Sequence, residues 1–207
     1  MPFDTYANLK TAIAEWLNRT DLTSRIPDFI TLAEAEFNRK LRVSAMEKRS
    51  TASATEKYVA LPVDWLEARR VFTTVNGSPR RLDVKSADQA VEYSATHAEA
   101  GAPVALAVVG RQLEILPTPD QAYVLEMLYY SKIPALSDSN PSNWLLEEHP
   151  DLYLYGSLMH SAPYLQHDER IGTWASKYDD IRGSIMSADE KAVYSTSTLK
   201  MSSRVLG

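Results

Sequence analysis

No cysteine occurs anywhere in the 207 residues. That excludes disulfides, thiolate catalysis and cysteine-ligated zinc or iron–sulfur centres, and it fits synthesis in a reducing cytoplasm. Glycine is scarce as well, with seven residues. None of them builds a G-x-S-x-G elbow, a G-x-x-x-x-G-K-[ST] loop or a G-x-G-x-x-G turn, so phosphate-cradling cofactor sites are not expected. No apolar run reaches the ~18 residues of a membrane helix. The opening MPFDTYANLK carries neither a basic leader nor an apolar segment, so a membrane span and a secretory signal are not expected either. An overall excess of positive charge is also missing. The net charge is -5, which argues against a dedicated nucleic-acid binder.

What is present belongs to a soluble globular chain: 44% hydrophobic and 24% charged residues, enough to bury a sizeable core. Tyr6, Leu9, Ile13 and Trp16 recur at steps of three and four behind Asp4 and Thr5, which predicts a capped first helix ending near Asn18. A second helix follows Thr23 and Ser24 with Pro27 in its first turn. Ile26, Ile30, Ala33, Phe37 and Leu41 form its apolar side, with Phe29 beside them. Ile171, Trp174, Tyr178, Ile181 and Ile185, spaced 3-4-3-4 behind Asp168, predict a long amphipathic helix near the C-terminus.

Between residues 44 and 136 the pattern breaks into short runs punctuated by Pro and Gly. YVALP, LEARRVFTTV before Asn76-Gly77, PVALAVVGRQLEILP and YVLEMLYYSKI read as strands of a small antiparallel sheet, with Gly110-Arg111 making a tight hairpin. SADQAVEYSA, with Ser86 as cap, predicts a short helix crossing that sheet. SDSNPSN at 137–143 is the clearest linker. The resulting expectation is a single α+β domain over 1–207, mostly α. An antiparallel helical bundle from 4–43 and 144–193 carries a β-rich insertion at 44–136 and an extended arm at 194–207.

The stretch EEHPDLYLYGSLMH at 147–160 concentrates acids and histidines. Pro150 suits a first helical turn, where Glu147, Glu148 and Asp151 complement the dipole. His149 and His160 stand eleven residues apart, roughly 16 Å along a helix axis, too far to share a metal whose ligand bonds are about 2 Å. No carboxylate stands at helical ligand spacing from both His160 and His167. No metal, no cofactor and no catalytic residue is therefore assigned, and the chain is read as a non-enzyme. Pro163 is expected to kink or end this helix.

Residues 39–85 hold eleven Lys/Arg against five acids, a local balance of +6 that leaves -11 elsewhere. Arg69, Arg70, Arg80 and Arg81 flank the Asn-Gly turn. Adjacent strand residues face opposite sides, so at most one of each pair should point at a given surface. A basic surface of this kind suits ordinary solvated charge, or a small DNA-binding or packaging accessory protein whose binding falls with salt.

IPDFITLAEAEFNRKLR (26–42), LPVDWLEARRV (61–71), LEILPTP (113–119) and LYYSKIPALSDSNPSNWLLEEHPDLYLYGSL (128–158), with the following DER…W…Y helix, resemble the head-to-tail adaptor, or connector, proteins of tailed bacteriophages. The likeness extends over nearly all of 5–193, and the chain looks like a relative of the adaptors below the portal of short-tailed phages. It implies a virion protein at the head–tail junction, about twelve copies in a ring beneath the portal, tail or nozzle proteins on the other side, and a channel passing DNA. It also implies a C-terminal arm docking on the portal, here Tyr194, Leu199, Lys200, Met201, Arg204, Val205 and Leu206. On that reading Trp144, Tyr153 and Tyr164 are subunit-interface candidates, since Trp and Tyr are enriched at interfaces. Arg69, Arg70, Arg80 and Arg81 are channel candidates.

Overall fold

A computed structural model of the chain describes residues 3–165 and 169–194. Among these, the helices are α1 (Tyr6–Leu17), α2 (Ile26–Lys40), α3 (Ala87–Thr96), α4 (Trp144–Glu148), α5 (Pro150–His160) and α6 (Arg170–Tyr194). The strands are β1 (Glu47–Ala54), β2 (Tyr58–Ala60), β3 (Trp65–Val75), β4 (Ser78–Arg81), β5 (Asp83–Lys85), β6 (Ala105–Val109), β7 (Gln112–Leu116) and β8 (Tyr123–Ser131). The chain divides into two compact units, Met46–Lys132 and the combination of Met1–Ala45 with Ile133–Gly207.

The helical unit is built around α5. Leu152, Tyr153, Leu154, Gly156, Ser157 and Leu158 of this helix are all buried, because α1, α2, α4 and α6 all pack against it. The closest approach is at Gly156, where an added Cβ would lie 3.0 Å from two ring carbons of Phe37 on α2. Thr5 caps α1 through Asn8 N–H, and Pro27 and Pro150 occupy first turns where a missing N–H costs nothing. Along α1 the buried stripe is Tyr6, Leu9, Ala12, Ile13 and Leu17. Trp16, expected on that stripe, is 43% exposed; it packs edge-on against Tyr155 with ring centroids 5.8 Å apart. Leu17, one position on, fills the interior slot.

The β unit corrects the expected fold class. Eight strands form two four-stranded sheets, in the orders β1-β8-β3-β4 and β2-β7-β6-β5. The protein is a substantial α+β fold and not a helical bundle with a small antiparallel insertion. Nor is the pairing all antiparallel, since β5 and β6 run parallel and α3 makes the crossover between them. Ser86 and Gln89 form a capping box at its start, at 3.2 and 3.1 Å. Short strands explain the misreading: β2, β4 and β5 have three, four and three residues, too few to show a period of two.

Leu61, Val71, Leu106, Leu113, Ile115, Leu125, Met127 and Tyr129 form the apolar layer of this unit. Ala90 of α3 packs separately with Ala105, Ala107 and Leu116. Asn76 and Gly77, both at positive φ, close the β3–β4 hairpin, the conformation that an Asn-Gly turn supplies.

Candidate interaction surfaces

Two polar clusters lie inside the helical unit. In the first, Glu34 Oε1 accepts from Leu136 N–H at 2.7 Å and from Tyr153 OH at 3.1 Å. Asn143 donates to Tyr153 OH and to the Pro134 carbonyl, both at 2.7 Å, while its own carbonyl caps α4 at Leu146 N–H, 2.9 Å. Asn38, one turn along α2, accepts from Ile133 N–H at 2.9 Å. This network fastens the 133–143 segment to α2 and satisfies backbone groups that would otherwise be buried unpaired. Burial raises the Glu34 carboxyl above its usual range, against the Leu136 and Tyr153 donors, and burial with Glu34 nearby raises the Tyr153 phenol.

The second cluster joins α2, α5 and α6. Glu36 meets Lys40 Nζ at 2.6 Å and His160 Nε2 at 2.9 Å, with the Lys40 ammonium 5.7 Å from the Tyr178 ring centroid. Burial opposes the Glu36 charge, but Lys40 and His160 outweigh it and hold this carboxyl below its usual range. The Tyr178 phenol is raised, by burial first and the Glu36 carboxylate second. His160 is thus a partner of Glu36. His149 caps the end of α4 at Leu145 O, and His167 lies outside the described residues, as does Asp168. Among the described residues no group of three or more His, Asp or Glu is arranged to hold a metal ion.

The interface candidates separate by exposure. Tyr153 is fully buried; its hydroxyl belongs to the Glu34–Asn143 network and its ring packs edge-on against Phe37 at 5.1 Å. Its bulk is core because α5 is covered on several sides. Tyr164 is 44% exposed and tilts against Phe29 at 5.4 Å. Trp144, half-buried, borders a cleft of about 280 Å³ with Val43, His149, Ile185 and Asp189. Asp189 accepts there from Ser44. Leu199, Lys200, Met201, Arg204, Val205 and Leu206 lie outside the described residues, as does the side chain of Tyr194.

In the β unit the arginines do not follow simple alternation. The β3–β8 register shifts between Ala68 and Arg70, leaving Arg69 as an extra residue. Arg69 pairs with Glu47 and lies over the Tyr130 ring, 5.4 Å from its centroid. Arg70 is opposite Leu128, and Leu128 and Tyr130 share one face of β8. Both arginines of the pair therefore reach the same sheet face. Arg81, opposite Phe72, faces that way as well, whereas Arg80, opposite Thr73, is on the other face; both are exposed. The face also carries Arg49, 3.2 Å from Glu126, and Val124, 59% exposed. Beneath the opposite face Asp64 accepts from Tyr129 OH at 2.9 Å and pairs with Lys48 at 2.6 Å. Burial and then this carboxylate push the Tyr129 phenol up to about 12.

The buried acids Glu34 and Glu36 fasten helices and loops of their own unit, Glu114 pairs with Lys57 in the β unit, and the accessible features include a sheet face, strand edges and the exposed Tyr164. The family model described as SU10 adaptor protein matches residues 4–201. The chain belongs to that family and is a phage structural adaptor protein. No curated protein matches it significantly. Among the described residues no helix is long and apolar enough to cross a membrane.

Proposed function

We propose that this adaptor assembles into a closed ring of about twelve copies beneath the portal, joins it to tail or nozzle proteins at the head–tail junction of the virion, and continues the DNA channel. The match of the adaptor family across residues 4–201 carries the reading. A heterologous ring needs two different adhesive faces on each copy. Trp144 beside its cleft and the exposed Tyr164 ridge supply aromatic anchors for them, whereas Tyr153, being core, supplies none. Arg70, Arg80 and Arg81 provide exposed positive charge for passing DNA.

Mass photometry of the purified protein with and without portal rings tests this. The expected result is a portal-bound species heavier by a fixed, integral number of adaptor copies. A protein that stays monomeric and unbound under assembly conditions would refute the proposal.

A further inference from the structure

Among the described residues the β unit leaves one long strand edge without a neighbouring strand. β1 terminates its sheet with eight residues, all registered on β8 and none of them proline. At the opposite end β4 has four residues and contains Pro79, which has no N–H to offer. The edges of the second sheet, β2 and β5, have three residues each. Beside β1 a cavity of about 240 Å³ opens between the sheets, lined by Ala52, Val59, Leu61, Leu113, Leu125 and Met127. It exceeds the ~150 Å³ of an apolar cavity that admits benzene. A free main-chain edge next to an apolar pocket recognises an added strand: the backbone supplies hydrogen bonds, and alternate side chains enter the pocket.

The chain itself contains a segment of that description. Residues 195–207, STSTLKMSSRVLG, follow the end of α6 and lie outside the described residues. Leu199 and Met201 stand two apart and so share one side of an extended chain, with Lys200 on the other. Fully extended, the segment reaches about 40 Å at ~3.3 Å per residue, longer than β1 needs. A heterologous ring requires each copy to present a donor and an acceptor. We infer that the C-terminal segment of one copy adds as a strand to β1 of a second copy, with Leu199 and Met201 entering the cavity. The inference rests on the ring reading above, and it moves these residues from the portal, where the family resemblance placed them, to a neighbouring adaptor.

The absence of native cysteine makes engineered disulfides unambiguous. Lys200→Cys is mixed with Arg49→Cys, Thr51→Cys or Ser53→Cys, each variant a full-length chain, and assembled on portal rings under oxidation. The expected product is a two-chain band in at least one mixture, absent from each variant alone and lost when Leu199→Asp and Met201→Asp are added. Rings without any such band, or with Lys200→Cys trapped on the portal instead, would overturn the inference and leave the ring standing.

A second measurement needs no ring. A labelled peptide of residues 195–207 should bind saturably to the full-length Leu199→Asp/Met201→Asp protein. Its affinity should fall roughly tenfold or more when the peptide carries Leu199→Asp or the protein carries Ala52→Trp. Absence of saturable binding overturns the strand-addition site whatever the oligomeric state.

Discussion

The helical unit and the β unit are held together by different means. In the helical unit α2 carries buried carboxyls, Glu34 and Glu36, and each is used up by donors from elsewhere in that unit. These bonds add little net energy, about 1 kcal/mol apiece, but leaving their partners unpaired costs more. They therefore specify which loop lies on which helix. The β unit's central layer is apolar, from Leu106 to Met127, and the unit's buried acid, Glu114, is met by Lys57 at 2.8 Å, while Asp64 takes Tyr129 OH and Lys48. Polar matching fixes loops on helices in the first unit, whereas in the second it is subordinate to the layering of apolar side chains.

The largest effect should come from the apolar layer. Leu106→Ala, at a fully buried site, is expected to cost about 3 kcal/mol, read as a lower Tm and as loss of amide protection in β6 and β7. Glu34→Ala should approach it, at about 2–3 kcal/mol, because Leu136 N–H and Tyr153 OH both lose their acceptor. Equal tolerance of Glu34→Ala and Glu34→Gln would erase the contrast between the units, since only Gln keeps an acceptor there.

A smaller, pH-dependent effect is expected at Glu36. Its folded carboxyl lies below the ordinary 4.5, so the stability it contributes is present above that value and is lost as pH falls through the depressed folded value. Glu36→Gln should thus lower stability by about 1–2 kcal/mol near pH 7. The gap from the parent should close in acid, as followed by denaturant melts between pH 7 and pH 3. Glu34 has the opposite sign: its raised value makes ionisation in the folded state costly as pH rises through it.

The smallest changes concern two glycines of one unit. Gly183→Ala meets nothing within 4 Å and should stabilise α6 by up to about 1 kcal/mol. Gly156→Ala meets the Phe37 ring and should forfeit that gain, a difference visible in parallel Tm measurements.

Much of the helical unit was legible because α2 and α6 repeat their apolar residues over several turns. Ile26, Ile30, Ala33, Phe37 and Leu41 are all buried, as are Trp174, Tyr178 and Ile185. The Ser86 cap, the Asn76-Gly77 hairpin and the break at Pro163, which lies in a short 3-10 turn after α5, were legible for the same local reason. The second sheet was not, since pairing between β5 and β6 joins residues separated by a helix and no local period records it. Trp16 was misassigned because residues at both edges of an apolar stripe share its spacing. Glu34 and Glu36 are absent from the sequence-derived site residues, because an acid beside an apolar helix face is the only sign they leave.

Strand β3 departs from regular pairing twice, between Trp65 and Glu67 and again between Ala68 and Arg70. Each departure adds one residue, so the two cancel, and Trp65 at one end and Val71 at the other return to the same side. By odd and even counting the strand looks uninterrupted, yet Glu67 is turned outward and Ala68 inward. Losing the extra residue of either slip, Leu66 or Arg69, would restore regular pairing there and leave every other side chain on its present face, so single-residue loss should be tolerated at those two positions and not at Glu67 or Ala68 between them.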